Sequence, residues 1–98
     1  MIVRVVKMHF REEEVANFKA VFQASKGLIR NFPGVQHLEL LQGTSDPTIF
    51  FTYSFWESEE ALERYRHSEL FKKTWAQTKP LFQSPAEAWS NQRIAHLP

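Results

Sequence analysis

Tyr53, Trp56, Tyr65, His67 and Trp75 fall within one stretch, FFTYSFWESEEALERYRHSELFKKTW from Phe50 to Trp75, and their types suit the walls and polar groups of a ligand pocket. Indole and phenol side chains can wall an apolar site, and each can donate one hydrogen bond to a ligand oxygen. His67, between Arg66 and Ser68, can exchange protons near neutral pH if it reaches the mouth of such a site; otherwise it is an exposed residue at a helix junction. As site candidates, His67 or Tyr65 could assist proton removal, and Tyr53, Trp56, Trp75 and His37 could meet a ligand, although the default role of Tyr53, Tyr65, Trp56 and Trp75 is packing. His37 and His9 lie in strand-like segments, where each could face a sheet-lined cavity or be satisfied at an interface. His96 is close to the last residue and is expected to meet solvent or a partner. Core packing accounts for Phe18, Phe22, Phe51, Phe55 and Phe71, whose spacing is already that of helix and strand interiors. Trp89 fits a subunit contact better than chemistry.

Other chemistries are poorly provided for. His37 and His67 are thirty residues apart, and no His-x-x-x-His or His-Glu pair falls on a helix, so a metal is not expected. Gly27, Gly34 and Gly43 are scattered and make no phosphate-binding loop, so no nucleotide cofactor is expected either. Glu12, Glu13, Glu14, Glu59 and Glu60 read as charges that favour helix N-termini rather than as an acid/base pair. The chain has no cysteine, which removes thiolate nucleophiles and disulfides. With 12 basic and 11 acidic residues mixed along it, the chain offers no electrostatic footprint for nucleic acid or an anionic membrane. The opening MIVRVVKMHFREEE lacks the features of a signal peptide, and no apolar run approaches transmembrane length, so a cytoplasmic location is expected.

Ninety-eight residues suit a single domain over 1–98, with a short tail from about 94 to 98. Its elements must position the aromatic residues. Ile2–Phe10 is rich in β-branched residues and predicts a strand, with Ile2, Val6, Met8 and Phe10 on one face and Val3, Val5, Lys7 and His9 on the other. From about Glu12 the spacing becomes helical, with Val15, Phe18, Phe22 and Ile29 on one stripe and Val21 and Leu28 beside it, until Pro33 and Gly34 end the helix. Val35–Gln42 predicts a second strand, GTSDP a turn, and Thr48 to Trp56 a third strand buried on both faces, the two strands forming a hairpin. Ser58 and Ser68 are successive N-cap signals, so the next helical region is expected to bend near His67 and to end at Pro80. Ala86 to Ile94 is the last strand candidate.

The order strand, helix, strand, strand, helix, strand is the ferredoxin-like βαββαβ plan, an α+β fold with an antiparallel sheet and both helices on one face. A third strand that is apolar on both faces needs a cover on the side without helices. The chain has no spare element for it, so a homodimer formed through that sheet face is expected.

The VRVVK strand, then NFPGVQHLELLQ, then FFTYSFWESEEALERYRHSELFKK resemble the antibiotic biosynthesis monooxygenase superfamily, small dimeric α+β barrel proteins. The most specific piece is the strand ending in Trp56, the Glu-Ser cap, and Glu60-Ala61-Leu62 followed nine residues later by Phe71. The resemblance implies a pocket between sheet and helices and, in catalytic members, oxygenation of aromatic polyketides or quinols without metal or flavin. The substrate is then a small aromatic, and the alternative is a non-catalytic homodimeric binding or interaction module of the same fold. Many members carry histidines on the second helix where this chain has Tyr65 and Leu70. The positions that serve haem-degrading relatives correspond here to Lys7 or Met8, Tyr65 and Trp75, so their haem-binding constellation is absent.

Overall fold

Alternation in Ile2–Phe10 produces strand β1, which sends Met8 and Phe10 into the interior on one face and Val3 onto the other. The computed structural model describes residues 1–98. A 3-10 turn at Glu12–Glu14 leads into helix α1, Val15–Arg30. Phe18, Ser25 and Ile29 form its buried stripe, whereas Leu28 is turned to solvent, 64% exposed. Ser25 tolerates burial because its hydroxyl donates to the Val21 carbonyl at 2.9 Å. The chain reverses at Gly34, the single residue with positive φ (97°). A Cβ there would stand 2.5 Å from that of Ala61, so glycine is needed both for the turn and for the approach of the next helix.

Strands β2, Val35–Gln42, and β3, Ile49–Trp56, form the expected hairpin. A register shift between Val35 and His37 separates the faces of these two residues, although simple alternation puts them together. Val35 packs inward against Trp56, Ala61 and Leu62, while His37 lies opposite Phe55 on the outer face. Helices α2, Glu59–Arg66, and α3, Glu69–Thr78, start where the cap signals lie: Ser58 Oγ accepts from the Ala61 N–H and Ser68 Oγ from the Phe71 N–H, each at 3.1 Å. The break between them falls at His67.

After a 3-10 turn at Lys79–Leu81 comes strand β4, Phe82–Gln92, which begins four residues before the expected Ala86 and ends two before Ile94. Pro85 makes the start hard to read, because proline is excluded from paired strand interiors. It is tolerated because β4 is an edge strand and its pairing with β1 is irregular there, jumping from Lys7↔Glu87 to His9↔Ser84.

The sheet order is β2-β3-β1-β4 with every pair antiparallel, the ferredoxin-like arrangement. Two separate clusters occupy the layer between sheet and helices. Met8, Phe10, Phe18 and Phe50 form one, and Val35, Trp56, Ala61 and Leu62 form the other. Phe10 and Phe50 are fully buried and contribute roughly 1.5–3 kcal/mol each by leaving water. No helix is long and apolar enough to cross a membrane.

Candidate active site

The helix-facing side of β3 reads Phe50, Thr52, Ser54, Trp56: two large aromatics at the ends and two small hydroxyl residues between them. Small residues recur at the same levels on β4, across Val6 and Arg4 of β1, while β2 carries Leu40 and Leu38 there. Thr52 lies beside Val6, which lies beside Ala88, and Ser54 lies beside Arg4, which lies beside Ser90. Large side chains at the ends of the sheet build the two core clusters, and small ones between leave a gap. That gap is a cavity of about 370 Å³, within the range of roughly 300–1,000 Å³ typical of sites for small organic ligands.

Thr52, Ser54 and Arg4 form part of its floor, and Phe22, Tyr65, Phe71 and Trp75 line it from the helices. The helix-side rings form a connected series. Phe32 meets Tyr65 edge-on (centroids 5.4 Å apart), Tyr65 meets Phe71 edge-on (5.2 Å), Phe71 stacks on Trp75 (5.8 Å), and Trp75 meets Phe82 edge-on (5.5 Å). Each ring limits the rotation of the next, so the wall is held in place by its own packing. Burial pushes the Tyr65 phenol up to about 12, because the phenolate would lose its hydration. The phenol therefore keeps its proton across the physiological range, and its O–H is available to donate a hydrogen bond.

Trp56, Tyr65 and Trp75 all line the cavity. Trp56 is 2% exposed, and its Nε1–H donates to Ser54 Oγ at 3.0 Å, so it shapes the floor and its own donor is already engaged. The other expected site residues lie elsewhere. Tyr53 is on the opposite face of β3, paired with Val5 and Glu39, with its ring edge-on to Phe55 at 5.1 Å. His37 is on that same outer face, stacked on Phe55 at 4.5 Å and hydrogen-bonded to the Glu39 carboxylate. Strand parity explains Tyr53, which is three positions from Trp56 and so faces the other side of the strand, and the register shift after Val35 explains His37. His67 ends α2 with its side chain 77% exposed and its Nδ1 2.8 Å from the Glu63 carbonyl, outside the cavity. His9 is also on the outer face, with Nδ1 3.1 Å from Ser84 Oγ.

Arg4, Thr52, Ser54, Arg66 and Thr74 were not singled out in the sequence, yet they line the cavity. For Thr52 and Ser54 a signal was present: hydroxyl residues alternate with large aromatics on one face of an apolar strand. Arg4 was legible too, as a charge on the otherwise apolar face of Ile2, Val6, Met8 and Phe10.

A single sheet with helices on one face and an aromatic cavity between the layers defines a ferredoxin-like α+β protein. The chain belongs to the antibiotic biosynthesis monooxygenase family, whose family model matches residues 1–77. No curated protein sequence matches it. Among solved structures, an antibiotic biosynthesis monooxygenase is similar at a TM-score of 0.91 with 14% identity, over 97% of this chain and 100% of its own. A conserved protein from Methanosarcina mazei is similar at 0.89 with 19% identity, over 95% and 93%. A protein from Mycobacterium tuberculosis is similar at 0.89 with 15% identity, over 99% and 98%. At these identities the likeness is one of fold, and it extends over β4, beyond the residues that the family model matches.

Proposed function

We propose that this chain is a homodimeric, cofactor-independent monooxygenase that acts on a small electron-rich aromatic, a quinol or polyketide-like ring, held in the cavity between sheet and helices. The observation that carries this reading is the cavity itself, an aromatic-walled space of about 370 Å³ with a neutral phenol and hydroxyl residues on its lining. In such a reaction the ring methylene of an anthrone and dioxygen give a ring carbonyl and water, and a quinol and dioxygen give a hydroxyquinone and water. In both, the four electrons come from the substrate, one oxygen atom enters the product, and the other leaves as water with two substrate hydrogens.

The protein's share of this work is positioning. Tyr65, Phe71 and Trp75 hold the ring, and the apolar walls exclude water while the substrate anion meets oxygen. The Tyr65 hydroxyl donates to the substrate oxygen on which negative charge develops. No imidazole or carboxylate lines the cavity, so the arrangement favours substrates whose own acidity is high. Family membership supports the same reaction class.

The test is oxygen consumption by the purified protein with a panel of quinols and anthrones, measured with and without a chelator. Uptake above the protein-free rate that the chelator leaves unchanged supports the reading. Uptake equal to the protein-free rate across the panel overturns it for those substrates. If those compounds also bind, the chain is the alternative, a binding module of the same fold.

A further inference from the structure

The charge inside the cavity is one-sided. Arg4 and Arg66 are its charged lining residues, and no aspartate, glutamate or histidine joins them. Arg4 projects from the middle of β1, between Ser54 on one neighbouring strand and Ser90 on the other, and its Nη1 donates to Ser90 Oγ at 2.9 Å. That contact is neutral and leaves most of the guanidinium fork uncommitted. Arg66, at the end of α2, is more exposed and is held on its outer side by Glu63, Nη1 to Oε1 at 2.9 Å. Glu63 is thus already engaged by Arg66, and its other carboxylate oxygen lies 3.8 Å from His67 Nδ1. Arg4, Arg66 and Glu63 together carry one unit of net positive charge at the lining of a mainly apolar cavity.

A partly buried guanidinium without its own carboxylate is unfavourable, and a second one nearby makes it more so. Both effects act on Arg4: burial first, and then the neighbouring Arg66, pull it below the ordinary guanidinium value, with Glu63 opposing. An anion entering the cavity would relieve both. Guanidinium groups suit this role, because their planar forks match two-oxygen groups and their charge persists at every physiological pH.

We propose that the cavity selects aromatic ligands that carry an anionic oxygen group, with that group held between Arg4 and Arg66 and the ring against Tyr65, Phe71 and Trp75. The inference rests on the cavity being a ligand site, as the proposed function requires, and adds the charge of the ligand and the residues that read it. Carboxylates and ionised ring hydroxyls share this chemistry.

Isothermal titration with matched probes tests it. One pair is naphthoate and its uncharged amide, and the other is a nitronaphthol that is ionised at neutral pH and its methyl ether. At least one anion is expected to bind at least about ten-fold more tightly than its neutral partner, and the arm showing the preference tells a carboxylate from a ring oxygen. Arg4→Met is expected to remove the preference while leaving the neutral probe bound, and Arg66→Gln, at the more exposed position, to reduce it without disturbing the fold. Equal binding within both pairs, or a preference that survives both substitutions, overturns the inference and leaves the aromatic site standing. Failure of all four probes to bind the native chain overturns this inference and the ligand-site reading together.

Discussion

Tyr65 lines the cavity, and burial sets its protonation. A phenol moved from its ordinary 10.0 to about 12 by burial binds its proton more tightly in the folded chain than in the unfolded one. The stability this contributes is fully present below about pH 10 and is lost as the pH rises toward 12, because the unfolded chain ionises there and the folded chain does not. Over that window the loss is roughly 2–3 kcal/mol. Urea unfolding of the native chain and of Tyr65→Phe between pH 9 and 12 checks this, because other titrating groups cancel in the comparison. The native stability should fall more steeply than that of the variant, whereas parallel curves would mean that Tyr65 carries no raised value. The type of Tyr65 was visible in the sequence, and its burial was not. His67 was ambiguous for the same reason: the helix junction was legible, but not the direction in which the junction turns its ring.

At the scale of elements, the sequence was a good guide to helix starts and to strand β1, and a poor one wherever the backbone departs from regular alternation. Ser58 and Ser68 mark helix starts through local hydrogen bonds that need no tertiary context. The shift in β2 that separates Val35 from His37, and the irregular start of β4 around Pro85, depend on pairing with other strands and leave little trace in a local window. The cavity is also a property of elements, because it exists where the helix-facing side of the sheet changes from large to small residues. Thr52→Leu should therefore act differently from an ordinary core enlargement. Overpacking a filled core typically costs about 1–3 kcal/mol, but here there is a void to accept the larger side chain, so the expected cost is below about 1 kcal/mol. Aromatic ligand affinity should drop at least about ten-fold as the floor rises into the site. Thermal unfolding and titration of the same sample check both parts. A variant that keeps its melting temperature and its full affinity would show that ligands bind elsewhere.

At the scale of the whole molecule, the sheet face away from the helices must be explained, and strand parity together with the shift in β2 does the sorting. Tyr53 and His37, expected in the cavity, instead join Val3, Val5, Phe51, Phe55 and Trp89 on this side. Glu39, Tyr53, Val5 and Trp89 form one row across the four strands, and His37, Phe55, Val3 and Asn91 the next. The surface is partly tended by its own polar groups, with Arg93 4.6 Å above the Phe55 ring, yet Trp89 remains 47% exposed. Helices α1, α2 and α3 occupy the opposite side, so the chain supplies no second layer here. A contiguous aromatic face of this kind favours pairing with a second copy, in which aromatic residues near the centre carry most of the binding energy. Light scattering at micromolar concentration is expected to return about twice the 11.6 kDa chain mass. Trp89→Glu places a charge on this aromatic face, on its β4 strand, and should weaken association at least about a hundred-fold, with the far-ultraviolet circular dichroism unchanged. A native mass near that of one chain would remove the dimer. A dimer indifferent to Trp89→Glu and to Tyr53→Glu alike would move the interface to another surface and leave the aromatic sheet face unexplained.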